Sequence, residues 1–227
     1  MLAAVVGACL LVFLLKSGSR SSENPRLPLT EVPDSNGSRA TSATVADEYE
    51  VYSALLSDPW YVDDNTREVM ISEETYSPTL ASGDDLAGSM TGLGRDTVED
   101  FNQKVSLNEN HKLTCEFTLK AKCVLLSKEH RVRALQKGWG SFYSEHTRSK
   151  GIITLSNVGF NSDVTEALVC VGLSCGGLCG HECFLLLEKK DGAWLVKCKR
   201  ITVMGISVGS HVASNNSVRP EPRKPVC

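Results

Sequence analysis

No apolar run in this chain reaches the length of a membrane-spanning helix. The longest, Leu2–Leu15, covers fourteen residues before Lys16, whereas a span needs about 20. That length suits the apolar segment of a secretory leader, roughly 7 to 15 residues, and Ser17 and Ser19 supply small residues for cleavage. The flanks point the other way. No Lys or Arg precedes the run, and Lys16 and Arg20 follow it, as in a short anchor with its amine outside. Signal peptide and short membrane anchor therefore both stand as readings of residues 1–19. Where residues 2–15 are not cleaved, membrane contact through them is expected.

Several chemical signatures are also missing. The cysteines show neither C-x-C nor C-x-x-C spacing, which removes the usual thiol oxidoreductase and metallochaperone motifs. The Gly-rich stretch Gly176-Gly177-Leu178-Cys179-Gly180 lacks the Lys-Ser/Thr ending of a phosphate-cradling loop. Gly205-Ile206-Ser207-Val208-Gly209 matches the nucleophile-elbow string, but only His211 follows and no helix-forming stretch does, so it reads as coincidence. No catalytic residue and no cofactor are expected. Aromatics are scarce at 6 %, and no Arg-rich cluster is interleaved with them, so nucleic-acid binding is not expected either.

The chain has no strong charge of one sign, at −3 overall, but its charge is divided. Residues 47–109 hold fifteen Asp/Glu against three Lys/Arg, and residues 110–227 hold nine against seventeen. The expectation is that these halves of one domain lie against each other and neutralise one another. With 41 % hydrophobic residues, the chain can bury one sizeable core.

Residues 20–43 are rich in Ser, Pro and Asn, as is the stretch 210–227. Both read as a linker and a tail with too little apolar surface to order themselves. They carry the sequons at Asn36 and Asn215. A single domain over residues 44–209 lies between them. Thr44 to Ser57 reads as a capped helix with Val45, Tyr49, Tyr52 and Leu56 on one face, stopped by Pro59. Val69–Ser72 is a short strand, and Asp96–Lys104 a second helix with Val98, Phe101 and Val105 inward. Cys115–Leu126 alternates like a strand, and Leu135–Glu145 reads as a helix carrying Trp139, Phe142 and Tyr143.

From Ile152 the pattern becomes β throughout. Ile152–Val158, Thr165–Leu173, Phe184–Lys189 and Ala193–Met204 are apolar or alternating runs separated by Asn161-Ser162-Asp163, Gly176-Gly177 and Asp191-Gly192. In the last run Trp194, Val196 and Cys198 fall on one face. Helices first and an antiparallel meander after make an α+β arrangement. By analogy it could be a cone-shaped, nuclear-transport-factor-like fold.

The strings LSNVGFN, ALV, CGGLCG and LLEKKDGAW, with WGSFYSEHTRSKG upstream, resemble a family of uncharacterised, mostly bacterial proteins that carry signal sequences. The resemblance runs from about Tyr49 to Val203 and implies an exported α+β domain with no assigned activity. His181-Glu182-Cys183 departs from it, where small or polar residues are expected.

Nine cysteines, less Cys9 if a leader is removed, leave an even number for pairing. Cys175 and Cys179 flank a reversal that would bring their Cα atoms to about 5.5 Å, the bridging distance. Cys170–Cys183 could close the same hairpin further down, and Cys115–Cys123 is a third candidate. The alternative chemistry is metal, with Cys175, Cys179, His181 and Cys183 as four soft ligands in a looped run. Trp139, Phe142 and Tyr143 are read as core packing or, in a cone, as the aromatic wall of a ligand pocket. Three functions remain open: a non-enzymatic binding or structural domain, exported or membrane-anchored; a small-molecule-binding or hydrolytic enzyme using a cone pocket; and a metal-binding module at Cys175–Cys183.

Overall fold

Thr44 starts the first helix. Its hydroxyl accepts a hydrogen bond from Asp47 N at 3.3 Å, while the Asp47 carboxylate accepts from Thr44 N at 2.9 Å. This reciprocal pair satisfies two backbone donors that a helix N-terminus otherwise leaves open. The helix, α1 (Val45–Leu56), buries Tyr49, Val51, Tyr52, Leu55 and Leu56. Val45, expected inward, is 65 % exposed because it lies in the first turn, short of the packed stripe.

The computed structural model describes residues 43–78 and 86–204. The expectations for residues 1–19, the linker to residue 42, the Gly205–Gly209 string, both sequons and the tail from Ser210 lie outside the described residues. After α1 come β1 (Glu68–Ser72), α2 (Leu86–Ser89), α3 (Arg95–Ser106), β2 (Lys122–Leu126), α4 (Lys128–Gln136) and α5 (Trp139–Glu145). Five strands follow: β3 (Ile152–Leu155), β4 (Gly159–Phe160), β5 (Glu166–Ser174), β6 (Gly180–Lys190) and β7 (Ala193–Met204). The class is α+β.

The seven strands among the described residues belong to one mixed sheet, ordered β2-β1-β3-β5-β6-β7, with β4 beside β5. The antiparallel run expected after Ile152 is present, within a sheet that is mixed. β5, β6 and β7 form the meander, turned at Asp191-Gly192 where both residues have positive φ. The other half is parallel: β1 runs alongside both β2 and β3.

Two further expectations change for identifiable reasons. Only the last five residues of Cys115–Leu126 are a strand. Phe117, Leu119 and Ala121 do face the core, but this segment bonds to side chains of α1 instead of a neighbouring strand. Thr114 N donates to the Tyr49 hydroxyl at 2.6 Å and Thr118 N to the Ser53 hydroxyl at 2.9 Å. The expected helix at Leu135–Glu145 is two helices, because Gly138 adopts φ 84° between α4 and α5, a conformation that suits glycine and ends a helix.

Alternation along the strands sends side chains into different layers. Val69, Ile71, Ile153, Val169, Val171, Leu185 and Leu187 pack with α1 and the Leu113–Ala121 segment. On the opposite face Leu168, Cys170, Phe184 and Leu186 meet Leu86, Met90 and Phe101 of α2 and α3 and their connection. Met70, Leu126 and Ile152 meet Phe142 on that face, beneath α4 and α5. With both faces covered, β5 and β6 read as nearly continuous apolar runs. Helix α3 comes so close to β4 that a Cβ on Gly159 would lie 2.5 Å from Phe101 Cβ.

The acidic and basic halves do meet. Glu68–Lys122, Glu73–Lys112, Asp63–Lys150, Asp47 and Glu50 with Lys189, and Asp58–Lys199 are ion pairs, each joining an early carboxylate to a later ammonium. Singly such partly exposed pairs contribute about 0–1 kcal/mol. Together they neutralise part of the divided charge among the described residues.

Cys115–Cys123 and Cys175–Cys179 are disulfides, with Cα separations of 5.8 and 5.0 Å. The first ties the irregular segment to β2, and the second clamps the β5–β6 reversal. Cys198 is disulfide-bonded as well. Cys170 and Cys183 are free and buried, which overturns their expected pairing. The register sets Cys170 opposite Phe184 and Cys183 opposite Val171, so the two thiols project from opposite faces of the sheet.

Candidate ligand-binding cleft

Two loops meet at one end of the sheet, and local hydrogen bonding fixes the shape of each. In the loop after α1, the Asp63 carboxylate accepts from Asn65 N and Thr66 N at 3.0 Å and from the Thr66 hydroxyl at 2.8 Å. This is the side-chain-to-backbone turn that aspartate favours. In the loop before β3, the Ser149 hydroxyl donates to Gly151 O at 3.0 Å. Arg67 N donates to Arg148 O at 3.0 Å and joins the loops.

Lys150 adds a second tie. Its ammonium lies 2.9 Å from the Asp63 carboxylate and also donates to Pro59 O. The Lys150 hydrogen bond first, then that of Thr66, hold the Asp63 carboxyl down to about 2. Between the loops lies an open cleft of about 530 Å³, lined by Asp63, Asn65, Thr66, Arg67, Thr147, Arg148, Ser149 and Lys150. Beside it the His146 Nδ1 is 3.0 Å from the Glu68 carboxylate.

The clamped hairpin braces the same end. The Tyr143 hydroxyl donates to Cys175 O at 2.9 Å, linking α5 to the disulfide loop. Trp60 packs edge-on to His181, with ring centres 4.9 Å apart, and Lys199 lies over the Trp60 ring while pairing with Asp58. His181 Nε2 is 3.3 Å from the Tyr61 hydroxyl, which in turn is 3.3 Å from Cys183 Sγ. Burial pushes the Cys183 thiol up to about 11, against the Tyr61 hydrogen bond and the charge of Lys199. Burial, then Lys199, lowers His181 from its usual value. The arrangement holds a neutral imidazole and a protonated thiol, which packs the end of the sheet and offers no activated nucleophile.

On the other face the Tyr76 hydroxyl donates to Cys170 Sγ at 3.2 Å and to the Glu182 carboxylate at 3.0 Å. Burial raises the Cys170 thiol well above its usual value. Cys170 and Cys183 are thus sealed, each against one tyrosine.

The residues singled out from the sequence fall into place differently. Cys175 and Cys179 are bonded to each other, which removes two of the four ligands from the metal alternative with His181 and Cys183. Among the described residues no cluster of three His, Cys, Asp or Glu could hold a metal ion. Phe142 is buried against Met70, Leu126 and Ile152, with Trp139 and Tyr143 packed around it. These aromatics pack in the core of the α5 layer and are not among the residues lining the cleft between the two loops. Sequence reasoning missed Arg67, Arg148 and Lys150 as a group, because no spacing rule connects two loops so far apart in the chain. The one available signal was the polar run His146-Thr147-Arg148-Ser149-Lys150 closing the WGSFYSEHTRSKG string. Compared with known proteins, the chain matches no family model, no curated protein and no solved structure, so the likeness to a nuclear-transport-factor-like cone stays an analogy.

Proposed function

We propose that this chain is an exported or membrane-anchored, non-enzymatic domain that binds a small ligand in the cleft between the 63–67 and 147–150 loops. The observation that carries this reading is the cleft itself. Its two walls are held in one geometry by the Arg67–Arg148 backbone bond and the Asp63–Lys150 ion pair. A binding site whose walls are fixed before the ligand arrives loses less entropy on binding. Its volume falls in the range of small-molecule sites, about 300–1,000 Å³. The location outside the cytoplasm draws support from the Cys115–Cys123 and Cys175–Cys179 disulfides, which persist in oxidising compartments, and from the apolar Leu2–Leu15 run and the family resemblance.

The test is a fragment screen followed by amide shifts in two-dimensional NMR of the full chain. Ligand-dependent shifts concentrated at residues 63–67 and 147–150 are the expected result. Shifts confined to other surfaces, or none across a broad library, would remove the cleft from consideration. One observation favours the hydrolytic alternative: Glu68 is placed to orient His146, as a carboxylate orients a general base. Among the described residues no Ser or Thr hydroxyl bonds to that imidazole, so an esterase panel with His146→Gln as control decides between the two.

A further inference from the structure

Building on that reading, we infer that the cleft takes a small ligand bearing a tetrahedral oxoanion, a phosphate or sulfate ester. Three cations line it, Arg67, Arg148 and Lys150, against one carboxylate, Asp63, for a formal sum of three minus one. They are not equivalent. Lys150 is committed to Asp63 and to Pro59 O, and its charge is largely answered there. Arg67 and Arg148 have no carboxylate within ion-pair distance among the described residues, and both are exposed.

Those two arginines start from one rung. Arg67 N donates to Arg148 O, so their stems leave adjacent points on facing walls. Two guanidiniums so placed can offer forked donors to the several oxygens of one tetrahedral anion, the geometry for which arginine is better suited than lysine. Thr147 lines the same space and adds a neutral polar side chain for a ligand body, while the Ser149 hydroxyl is engaged with Gly151. At about 530 Å³ the cleft exceeds a bare phosphate, leaving room for a sugar-sized group beyond the anion. The Asp63 carboxylate is already engaged by Thr66, Asn65 and Lys150, so its charge is answered within the wall.

The experiment titrates the full chain with inorganic phosphate, inorganic sulfate, glucose 6-phosphate, glucose 6-sulfate and glucose, read by amide shifts and by calorimetry. Arg67→Gln and Arg148→Gln are compared with Arg95→Gln, a control that removes an exposed charge from α3. Saturable binding of an ester, tighter than the bare anion, with shifts at residues 66–67 and 147–150, is the expected result. Each cleft variant should weaken it at least tenfold and the control less than twofold. Preference for the phosphate or the sulfate ester identifies which anion the site is built for. Glucose binding as well as its esters, or ester binding unchanged in both cleft variants, would overturn the oxoanion assignment and leave the cleft standing as a binding site. If none of these five probes moves the cleft amides, the assignment falls, while the fragment screen separately decides whether the cleft binds anything.

Discussion

Lys150 reaches across from the loop before β3 to lie 2.9 Å from Asp63 in the loop after α1. An exposed ion pair of this kind contributes little to global stability, but it leaves a clear titration signature. The Asp63 carboxyl should titrate at about 2 when followed by side-chain carbon shifts in NMR. Because this folded value lies below the ordinary 3.8, the pair's contribution is present above the ordinary value and lost as pH falls towards 2. Lys150→Met should move the midpoint up towards the ordinary aspartate value. An unchanged midpoint would mean that Thr66 and the backbone amides alone set it.

Glycines at 159 and 140 should respond in opposite directions to the same substitution. A methyl group at Gly159 would strike Phe101, Cβ to Cβ at 2.5 Å, and its backbone N at 2.7 Å. Gly159→Ala should therefore destabilise the protein by about 1–3 kcal/mol, the usual cost of overpacking. Gly140 lies inside α5, where an added methyl group would meet nothing within 4 Å. There Gly140→Ala should stabilise by about 0.4–1 kcal/mol through helix propensity and a less free unfolded chain. Thermal or urea unfolding of the two variants checks both signs.

The two sealed thiols predict a two-step alkylation pattern. In the folded protein, Cys170 and Cys183 should resist an alkylating reagent, since both are buried and their thiols are held protonated. In denaturant without reductant, peptide mapping should find both alkylated, and Cys115, Cys123, Cys175 and Cys179 unmodified until reductant is added. Labelling of Cys115 or Cys175 at the first denaturing step would contradict the bridges.

His181 should make stability fall in mildly acidic solution. Its folded pKa is depressed, by burial first and then by Lys199. The unfolded chain therefore binds the proton more readily, and stability is full above the ordinary 6.5 and declines as pH drops below it. Urea unfolding of the wild type and of His181→Phe between about pH 5 and 8 should show parallel stability curves above that value and diverging ones below it, with the wild type losing more.

What could be read from the residues was mostly local. Thr44 with the Tyr49, Tyr52 and Leu56 stripe announced α1, Asp191-Gly192 announced the β6–β7 turn, and Cys175 and Cys179 framed the clamped reversal. What could not be read was non-local. The run Glu68–Ser72 gave no hint that β1 would be flanked by two parallel partners, since parallel pairing needs distant segments and leaves no turn signature. The bulge between Leu186 and Leu187 changes how β7 is sampled. Trp194 and Val196 pack with the α1 layer, whereas Cys198, two positions on, packs with α2 and α3. The alternation that put all three on one face is broken by a register shift that no property of β7 alone encodes. The cleft was hidden for the same reason, since its walls are irregular loops brought together only by the parallel half of the sheet.

That parallel half dictates a schedule for the nascent polypeptide. Met70 cannot acquire its neighbour Ile152 until most of the domain has been synthesised and, in an exported chain, delivered across the membrane. The ribbon from β5 to β7 can zip from its own reversals, whereas β1 must wait, unpaired on that edge, for late-arriving sequence. A truncated product ending before β3 would therefore display an open strand edge, and so be a substrate for quality control or for self-association.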